Sequence, residues 1–510
     1  MNLAILHYHL NRSGVTRVIE NQIAALDAVL DPAEPWNVAL FHGGRRPGWD
    51  EEFAGRLRAI RLSLVEVPLL EYDDVQPDGG RHGPADLLVE LYMALGQVNF
   101  EPDQTVMHLH NHSLGRNRCL PEVVPVLARD GYAVLLQIHD FAEDFRPSNY
   151  RCLGNVADVY QQAANMHYAV LNGRDRAILL QAGAQPDRLH RLPNPVPHIN
   201  ERPPKADARR RLRDLFDVSE DDCYVLYPIR GIRRKNLGEV LLYSALAPPE
   251  TTVGITLPPL NPVDLQVYEG WKELAAELDL PCRFGVGASG ALSLAENIAA
   301  ADLIITTSLA EGFGMVFLES WLADCPLIGR DLPEITPDFI EAGLRFDWLR
   351  PQLRVPLEWI GVEVFRRAVV EAYRRTLDVC NRVESPGVAE QIEAKVEGGL
   401  VDFGDLDETM QQTVIRIICD NEEERQRIHE ANPWLEEVFA VRAEEASEVI
   451  GENVRVIARG FSLEPSGRRL LDVYQQVAAG SRDVPPEPLS HPERILDQFL
   501  DLARFRLIRS

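Results

Sequence analysis

Two glutamates in the segment SLAEGFGMVFLESW, residues 308–321, are spaced so that they can do chemistry together. Glu311 and Glu319 stand eight residues apart with Gly-Phe-Gly between them. The segment follows the apolar run DLIITTS, which predicts a strand, and a helix is predicted to begin near Met315. Glycines let the backbone approach a ligand, and a helix start offers unpaired N–H groups to an anion. We therefore expect a diphosphate at the helix start, with one carboxylate on a sugar and the other on a ribose.

A plain strand-to-helix crossover is the alternative interpretation of this segment. In that case the glycines serve a tight turn and Glu319 faces solvent. The spacing alone does not decide between the two interpretations, so the decision depends on the elements that position the glutamates and on the rest of the chain.

Apolar runs and amphipathic stretches alternate along the first part of the chain. Strands are predicted at residues 3–10, 36–43, 105–112, 133–140, 166–172 and 189–196, and a helix at residues 15–30. Continuous apolar strands separated by helices indicate a parallel sheet that is covered on both faces. This part of the sequence therefore predicts one doubly wound α/β domain.

A second α/β series follows a proline-rich, charged stretch at residues 193–211, which is typical of a linker. It begins with a predicted strand at residues 224–231 and a helix at about residues 235–247. Doubly wound sheets bind ligands at the carboxyl ends of their strands, so we expect a cleft between the two domains. From about residue 350 to 450 the pattern is helical and acidic, which predicts a helical elaboration with a solvated face.

The composition excludes several classes of protein. The 510 residues carry a net charge of −26, which disfavours non-specific binding to nucleic acid or to an anionic membrane. The seven cysteines are scattered and form no C-x-x-C pair, so neither a disulfide framework nor a zinc site is indicated. The first residues lack a basic signal-peptide region, and no window is apolar enough to span a membrane. We expect a cytoplasmic protein.

Five segments in the same order resemble the retaining GT-B glycosyltransferases of family 4. The glutamate segment is similar to the E-x(7)-E signature of that family, and the other segments are HYHLNRSGVTRVIENQIAAL, LLQIHDF, LPNPV and IRGIRRKNLGEVLLYSA. The resemblance covers roughly residues 1–345 and the very end, and the set is far more specific than a single Gly-rich turn. It implies an α/β protein of the GT-B fold, with two doubly wound Rossmann-like domains facing a central cleft and a helical elaboration in the C-terminal half.

The resemblance also implies a domain layout. Residues 1–200 are expected to form the N-terminal, acceptor-binding domain. Residues 201–465 are expected to form the nucleotide-sugar-binding domain, with a helical insertion at about 350–450. The last helices, within residues 466–510, are candidates to cross back to the first domain.

Roles for individual residues follow from the matched segments. The residues expected at the reacting centre are His139, Arg230, Lys235 and Glu311. The residues expected to bind the donor are Gly14, Asn194, Arg230, Lys235, Glu311, Gly312, Phe313, Gly314, Met315, Val316 and Glu319. Arg230 and Lys235 would stabilise the negative charge that grows on the departing diphosphate. For His139, a buried strand-end histidine bonded to backbone is the alternative.

Candidates for acceptor binding follow the predicted strands of the first domain. They are His112, Arg116, Arg146 and Tyr150, with Arg118 and Asn111 nearby. Basic groups there suit a phosphate or carboxylate on the acceptor, and ordinary surface arginines are the alternative. His108 and His110 alternate with His112 on the predicted strand, so all three would share one face. A metal site is conceivable there, but we favour strand-end residues near the acceptor.

The chain departs from the family pattern at two positions. Ser13-Gly14 stands where the family has two glycines, which bears on how closely the backbone reaches the phosphate. Asp324 stands where the family has a glycine near the end of the signature helix. Neither departure removes a charged group that the chemistry needs.

The predicted function is retaining transfer of a hexosyl group from a nucleotide-diphosphate sugar of the UDP-glucose or GDP-mannose type. The expected acceptor is a small soluble molecule, with an anionic one as an option, and neither nucleic acid nor a membrane is an expected partner. No metal, other cofactor or side-chain nucleophile is obligatory in the family. The alternatives are a family 4 sugar phosphorylase and, from another class, a non-catalytic sugar-nucleotide-binding protein; the E-x(7)-E spacing speaks against an epimerase.

Overall fold

A computed structural model of the chain describes residues 1–76, 79–198, 202–384 and 386–509. The described residues divide into two compact units. The first unit comprises Met1–Pro197 and Ala458–Leu500, and the second comprises His198–Ile457 and Asp501–Ser510. The boundary predicted between residues 200 and 201 lies outside the described residues.

Strands and helices alternate through the N-terminal part of the first unit. The strands are β1 (Asn2–Leu6), β2 (Trp36–His42), β3 (Ile60–Glu66), β4 (Thr105–His110), β5 (Ala133–Ile138), β6 (Gln161–Gln162), β7 (Met166–Val170) and β8 (Leu189–Arg191). The helices are α1 (Gly14–Asp27), α2 (Pro84–Gln97), α3 (Leu120–Arg129), α4 (Pro147–Cys152), α5 (Val156–Val159) and α6 (Gly173–Gln181).

The main sheet of the first unit is parallel, as predicted. In the described residues, seven strands pair in the order β3, β2, β1, β4, β5, β7 and β8. Every residue of β4 and β5 is buried, because helices cover both faces of a parallel sheet. The carboxyl ends of parallel strands meet at one edge, so the residues that follow β1, β4 and β5 lie close together there.

Several strands end before the apolar pattern does. The prediction of a strand to residue 10 is wrong after Leu6, and the prediction of a strand to residue 112 is wrong after His110. Residues 7–10 and 111–113 are nevertheless buried, as loops at the edge of the sheet. Burial therefore produced the apolar and aromatic pattern at these positions, and strand pairing did not.

The second unit repeats the alternation. Its strands are β9 (Cys223–Arg230), β10 (Thr251–Leu257), β11 (Cys282–Phe284), β12 (Leu303–Thr306), β13 (Leu327–Arg330), β14 (Leu349–Arg350), β15 (Arg354–Pro356) and β16 (Leu400–Asp402). Its helices are α7 (Lys205–Phe216), α8 (Leu237–Leu246), α9 (Pro262–Glu277), α10 (Leu294–Ala300), α11 (Val316–Leu322), α12 (Thr336–Glu341), α13 (Val362–Val379), α14 (Val388–Val396), α15 (Glu408–Asp420), α16 (Glu422–Ala431), α17 (Leu435–Ala440) and α18 (Ser447–Gly460), which ends in the first unit.

The main sheet of the second unit is also parallel. Within the described part of the chain, six strands pair in the order β11, β10, β9, β12, β13 and β14. The region from about 350 to 450 is mostly helical, but it also contains an antiparallel pair in which Val355 of β15 lies opposite Val401 of β16. This pair brings the start of the elaboration and its middle together beside the sheet.

Residues after Ala458 complete the first unit with α19 (Leu463–Ala478), β17 (Glu487–Pro488) and α20 (Arg494–Phe499). Helix α19 packs tightly against α1, since a Cβ at Gly467 would overlap the carbonyl group of Ala25. Leu470, Val473 and Tyr474 of α19 join the core on one face of the first sheet.

Among the described residues, no helix has the length and apolarity needed to cross a membrane.

Helix α11, which carries Glu319, ends in a Schellman motif at Asp324. Asp324 has φ of 60°, in the left-handed region. Its N–H donates to the carbonyl of Trp321 at 3.0 Å, and the N–H of Cys325 donates to the carbonyl of Ser320 at 3.0 Å. Glycine is the usual residue at this position because it adopts positive φ without a steric penalty. The departure from the family pattern therefore affects the cost of ending the helix.

Replacing Asp324 with glycine is expected to raise the free energy of unfolding by about 1 kcal/mol, because the left-handed residue loses its steric penalty. Denaturant unfolding followed by circular dichroism measures this change. Asp324→Ala is the matched control, and it is expected to lower the free energy of unfolding. A glycine variant that is less stable than the wild type would contradict this explanation of the helix end.

Candidate active site

Two loops of the second unit meet at the carboxyl ends of the neighbouring strands β9 and β12. β9 ends at Arg230, and a short turn, Arg233–Lys235, leads into α8. β12 ends at Thr306, and the glutamate loop follows it. The two loops are joined directly, because the N–H of Leu309 donates to the carbonyl of Arg234 at 2.9 Å.

Lys235 and Glu311, which were both expected at the reacting centre, form an ion pair between these loops. The Lys235 ammonium donates a hydrogen bond to Oε1 of Glu311, and their side chains are only 14% and 9% exposed. Arg234 adds a second positive charge, 3.6 Å from Oε2 of Glu311. The structure thus places three charged side chains from two loops within one small volume.

The charges around Glu311 keep it ionised. Burial alone would raise the pKa of Glu311, but the positive charges of Lys235 and Arg234 outweigh burial and lower that pKa. Burial lowers the pKa of Lys235, and the carboxylate of Glu311 acts in the opposite direction. An ionised carboxylate accepts hydrogen bonds and cannot act as a general acid, which fits contact with sugar hydroxyls.

The backbone of Lys235 is held by buried hydroxyl groups of the sheet. The carbonyl of Lys235 accepts hydrogen bonds from the hydroxyl of Tyr227 and from Oγ1 of Thr307, both at 2.9 Å. Tyr227 lies on β9 and Thr307 directly follows β12, so both strands support the same peptide group. The next residue, Asn236, has φ of 51° and therefore turns the chain sharply into α8.

The Gly-rich loop uses its residues in different ways. Gly314 has φ of 81°, and a Cβ there would overlap the ring of Phe317, so only glycine suits this position. Phe313 is buried and packs edge-on against Phe339 with ring centroids 5.2 Å apart, so its side chain anchors the loop in the core. Gly312 precedes it at the sheet edge.

The helix after this loop is short. Met315 is the N-cap residue, Val316 is the first residue of α11, and the helix has seven residues. Glu319 lies about one turn into the helix and is exposed. A helix terminus contributes only about 0.3–2 kcal/mol to binding an anion, so an anion at this edge would depend mainly on the basic side chains.

Arg230 stands at the end of β9, on the same edge as Lys235. Its guanidinium donates to the carbonyl of Pro258 at 2.9 Å, and the side chain is partly exposed. This hydrogen bond fixes the direction of the side chain. Because a guanidinium carries several N–H donors, a side chain held in this way can still bind an anion at the sheet edge.

In the first unit, His139 follows β5 and is fixed by Asn111, which follows β4. Asn111 has φ of 62°, and its Oδ1 accepts the N–H groups of His139 at 2.7 Å and of Asp140 at 3.1 Å. The ring of His139 is hydrogen-bonded to the ring of His110 at 2.8 Å. Burial lowers the pKa of His139 to about 4, so its imidazole is neutral.

The prediction that His108, His110 and His112 share one face is wrong for His112. The rings of His108 and His110 lie 4.3 Å apart, but β4 ends at His110 and the left-handed Asn111 turns the next side chain away. His112 instead lies against Tyr160 and Tyr168, with ring centroids 6.4 and 6.1 Å away.

Across the ranges that the structure describes, no group of three or more His, Cys, Asp or Glu side chains could hold a metal ion.

Arg116 and Arg146, two of the residues considered for acceptor binding, are paired with carboxylates. Arg146 caps α4 and binds Asp140 at 2.6 Å. Arg116 binds Asp74 at 3.1 Å and lies over the ring of Tyr72 at 4.4 Å. These carboxylates partly neutralise the positive charge that an anionic acceptor would meet. Tyr150 lies within α4 and packs partly against the core of the first unit.

Gly14 and Asn194 also belong to the first unit. Gly14 is the first residue of α1, and open space surrounds the position where a Cβ would stand. Ser13 caps the helix, since its hydroxyl accepts the N–H of Thr16 at 3.3 Å. This explains how the helix starts with one glycine in place of two. Asn194 is buried, and its Oδ1 has no hydrogen-bond partner among the described residues.

Several residues of the site were not predicted from the sequence. Arg234 stands next to Lys235 and was not considered, although the run RRK signalled a third cation. Tyr227 and Thr307 carried no signal beyond their places in apolar strands. Asn111 was expected near the acceptor, and the structural role of its side chain, which accepts hydrogen bonds from the backbone of the loop after β5, was not predicted.

Comparison with known proteins gives one curated relative and several solved structures of the same fold. No family model matches the chain. The chain is 25% identical over 351 residues to mannosylglucosyl-3-phosphoglycerate synthase of Petrotoga mobilis (strain DSM 10674 / SJ95). The match covers 66% of this chain and 66% of the relative, so the chain spans about two thirds of the length of that protein.

Two solved structures cover nearly the whole chain. HepE of Anabaena in complex with UDP-glucose is 14% identical to this chain. The superposition covers 94% of this chain and 98% of the HepE chain, with a TM-score of 0.51. Sucrose-phosphate synthase of Thermosynechococcus elongatus is 15% identical, covers 94% of this chain and 100% of its own, and gives a TM-score of 0.55. The predicted GT-B fold is confirmed, and so is the resemblance to family 4 glycosyltransferases.

The buried histidines predict how stability depends on pH. Burial lowers the pKa of His108 to about 3. The hydrogen bond of 2.9 Å from the His108 ring to the side-chain oxygen of Gln137 acts in the opposite direction but is the smaller effect. In the unfolded chain that pKa returns to about 6.5, so unfolding takes up a proton below pH 6.5. The contribution of His108 to the free energy of unfolding is therefore fully present above pH 6.5 and is lost as the pH falls toward 3.

The variant His108→Gln is expected to lose less stability than the wild type between pH 6.5 and pH 4. The pH slopes of the free energy of unfolding should differ between the two proteins by about 1 kcal/mol per pH unit, because the variant takes up one proton fewer on unfolding. Denaturant unfolding at a series of pH values measures both slopes, and the comparison cancels the opposite contribution of buried carboxyl groups such as Glu143. Equal slopes in the two proteins would contradict a neutral, buried His108.

Proposed function

We propose that this chain, a GT-B glycosyltransferase of the family 4 type, transfers a hexosyl group from a nucleotide-diphosphate sugar to a small soluble acceptor with retention of configuration. The observation that carries the proposal is the Lys235–Glu311 ion pair at the carboxyl ends of β9 and β12. It joins two segments that resemble the donor-binding motifs of the family. Arg230 stands on the same edge of the sheet.

The charges of this site suit a nucleotide-diphosphate sugar. Lys235, Arg234 and Arg230 supply positive charge for the diphosphate, while the ionised Glu311 accepts hydrogen bonds from the hexosyl hydroxyls. Glu319, on the exposed side of α11, is the proposed partner of the ribose. A donor of the UDP-glucose or GDP-mannose type fits these charges equally well, because the choice between them depends on the shape of the pocket.

In the proposed mechanism, the enzyme lowers the barrier mainly by stabilising the negative charge on the leaving diphosphate in the transition state. As the glycosidic bond breaks, negative charge grows on the phosphate oxygen and positive charge on the anomeric carbon. Lys235 is already oriented by Glu311 and by its own anchored carbonyl, so little reorganisation is needed when the charge develops. The acceptor hydroxyl attacks from the face that the diphosphate leaves and gives its proton to a phosphate oxygen. No metal, other cofactor or side-chain nucleophile is required.

His139, a residue of the first unit, is the proposed hydrogen-bond partner of the donor sugar. His139 has a lowered pKa, so it offers a hydrogen bond to the donor sugar without adding charge near the developing positive centre. Its position is fixed by the Asn111 side chain and by the ring of His110. A fixed, uncharged partner at the anomeric centre avoids repulsion in the transition state.

A small anionic acceptor is supported by the curated relative. That protein is named for a product that contains a phosphoglycerate group. In this chain, Arg116 and Arg146 are the proposed contacts of the anionic group, and His112 and Tyr150 are proposed as further acceptor residues. Their present partners Asp74 and Asp140 leave other N–H donors of each guanidinium for the ligand.

A transfer assay tests the proposal. The protein is mixed with UDP-, GDP- or ADP-hexoses and with glucosyl-3-phosphoglycerate, and mass spectrometry follows the products. We expect one nucleoside diphosphate to be released while the acceptor gains one hexosyl residue. Formation of a sugar 1-phosphate from free phosphate would support a phosphorylase instead. Nucleotide binding without turnover in any mixture would support a non-catalytic binding protein.

Alanine at Lys235, Arg230 or Glu311 is expected to lower turnover strongly, by about 10²–10³-fold for each lost contact. The matched control is Lys272→Ala, since Lys272 is an exposed lysine of α9 in the same unit. Circular dichroism confirms that each variant is folded. Wild-type turnover in any two of the three site variants would overturn the assignment of the site.

A further inference from the structure

A chain of buried polar contacts connects the helical elaboration to Lys235. The elaboration contributes β16, the turn Phe403–Asp405 and helix α15, all within residues 400–420. These elements lie in the second unit, as does the loop that carries Lys235. The contacts run through Asn236, the residue next to Lys235, and through α8, which begins immediately after it.

Gln411 of α15 holds Asn236 directly. Its Nε2 donates to Oδ1 of Asn236 at 2.9 Å and to the carbonyl of Phe403 at 3.1 Å. Both amide side chains are fully buried. Nδ2 of Asn236 donates to Glu239 at 2.7 Å, and its carbonyl accepts a hydrogen bond from Oγ1 of Thr307 at 3.2 Å. Hydrogen bonds from α8, α15 and the residue after β12 therefore hold the left-handed Asn236 in place.

A buried ion cluster provides the second connection. Arg330, at the end of β13, donates to Glu239 at 2.6 Å and to Asp402 of β16 at 2.8 Å. All three side chains are less than 10% exposed. Arg330 also donates to the carbonyl of Pro351 at 2.9 Å, so each nitrogen of its guanidinium has an acceptor. Such a cluster is costly to break, because removing one member leaves a buried charge unpaired.

The packing leaves no room for these elements to move closer together. A Cβ at Gly238 of α8 would overlap the side-chain oxygen of Gln411. A Cβ at Gly404 would meet Leu309 of the glutamate loop at 2.7 Å and Arg330 at 2.8 Å. Glu408, the first residue of α15, also pairs with Arg233 at 2.8 Å, two residues before Lys235. The elaboration therefore touches both loops of the site.

We propose that residues 400–420 are a positioning device for Lys235, and that Gln411 acts through Asn236 to hold the Lys235 ammonium where the donor diphosphate binds. Gln411 lies too deep to touch substrate, so it is a positioning residue and not a catalytic one. This inference rests on the proposed function, in which Lys235 binds the diphosphate. It gives the elaboration a role in donor binding.

A double-mutant cycle on nucleotide affinity tests this coupling. The wild type, Gln411→Ala, Lys235→Ala and the double variant are titrated calorimetrically with UDP and with GDP. In the Lys235→Ala background we expect Gln411→Ala to weaken binding by a further factor of about two at most. In the wild-type background it should weaken binding about five- to tenfold, the coupling usual for residues that share a network. The matched control is Gln412→Ala, at the next position of α15, which should bind as the wild type does.

The outcomes separate this inference from the proposed function. Equal effects of Gln411→Ala in both backgrounds would contradict the positioning role, because a general loss of stability acts whether or not Lys235 is present. Gln411→Met, which keeps the side-chain length without the hydrogen bonds, is the second variant if the alanine variant does not fold, and the same non-additivity is expected of it. A wild type that binds neither UDP nor GDP, and that releases no ADP in the transfer assay, would contradict the proposed function itself.

Discussion

The buried ion pair between Lys235 and Glu311 is the interaction on which the candidate site depends. Taking two charges out of water is costly, and the mutual attraction compensates only when geometry and hydrogen bonding are good. Here the geometry comes from two neighbouring parallel strands, because β9 and β12 end at the same edge of the sheet and their loops are joined by a backbone hydrogen bond. The pair is thus a product of the fold, and it leaves an ionised carboxylate and a cation where a charged ligand could replace part of each interaction.

In the first unit, too, the polar cluster is formed by residues at and after the carboxyl ends of neighbouring strands. Loops after β4 and β5 place Asn111 and His139 side by side, and α19 covers the sheet behind them, where the hydroxyl of Tyr474 contacts His108 at 2.8 Å. Burial keeps this group of histidines neutral. The first unit thus contains a neutral, hydrogen-bonded cluster of histidines, and the second unit contains a charged cluster at its own sheet edge.

The strands and the parallel sheets could be predicted from the sequence because burial on both faces produces continuous apolar runs. The ends of the strands could not, since His112 and residues 7–10 are equally buried in loops. The closeness of Lys235 and Glu311 was implied only by resemblance to a family, because 76 residues separate them. Contacts such as Asn236–Gln411 and Arg330–Asp402 join positions that are far apart in sequence, and no local pattern marks them. The sequence of the elaboration predicts a solvated acidic region, yet Gln411 and Glu408 on one part of it contact the loop that carries Lys235.

The structure of the protein bound to UDP or GDP tests the central claim most directly. We predict that the Lys235 ammonium and the Arg230 guanidinium lie within hydrogen-bond distance of diphosphate oxygens, with Glu311 directed to the side where the hexosyl group would stand. A nucleotide whose diphosphate touches neither Lys235 nor Arg230 would contradict the assignment of the donor site.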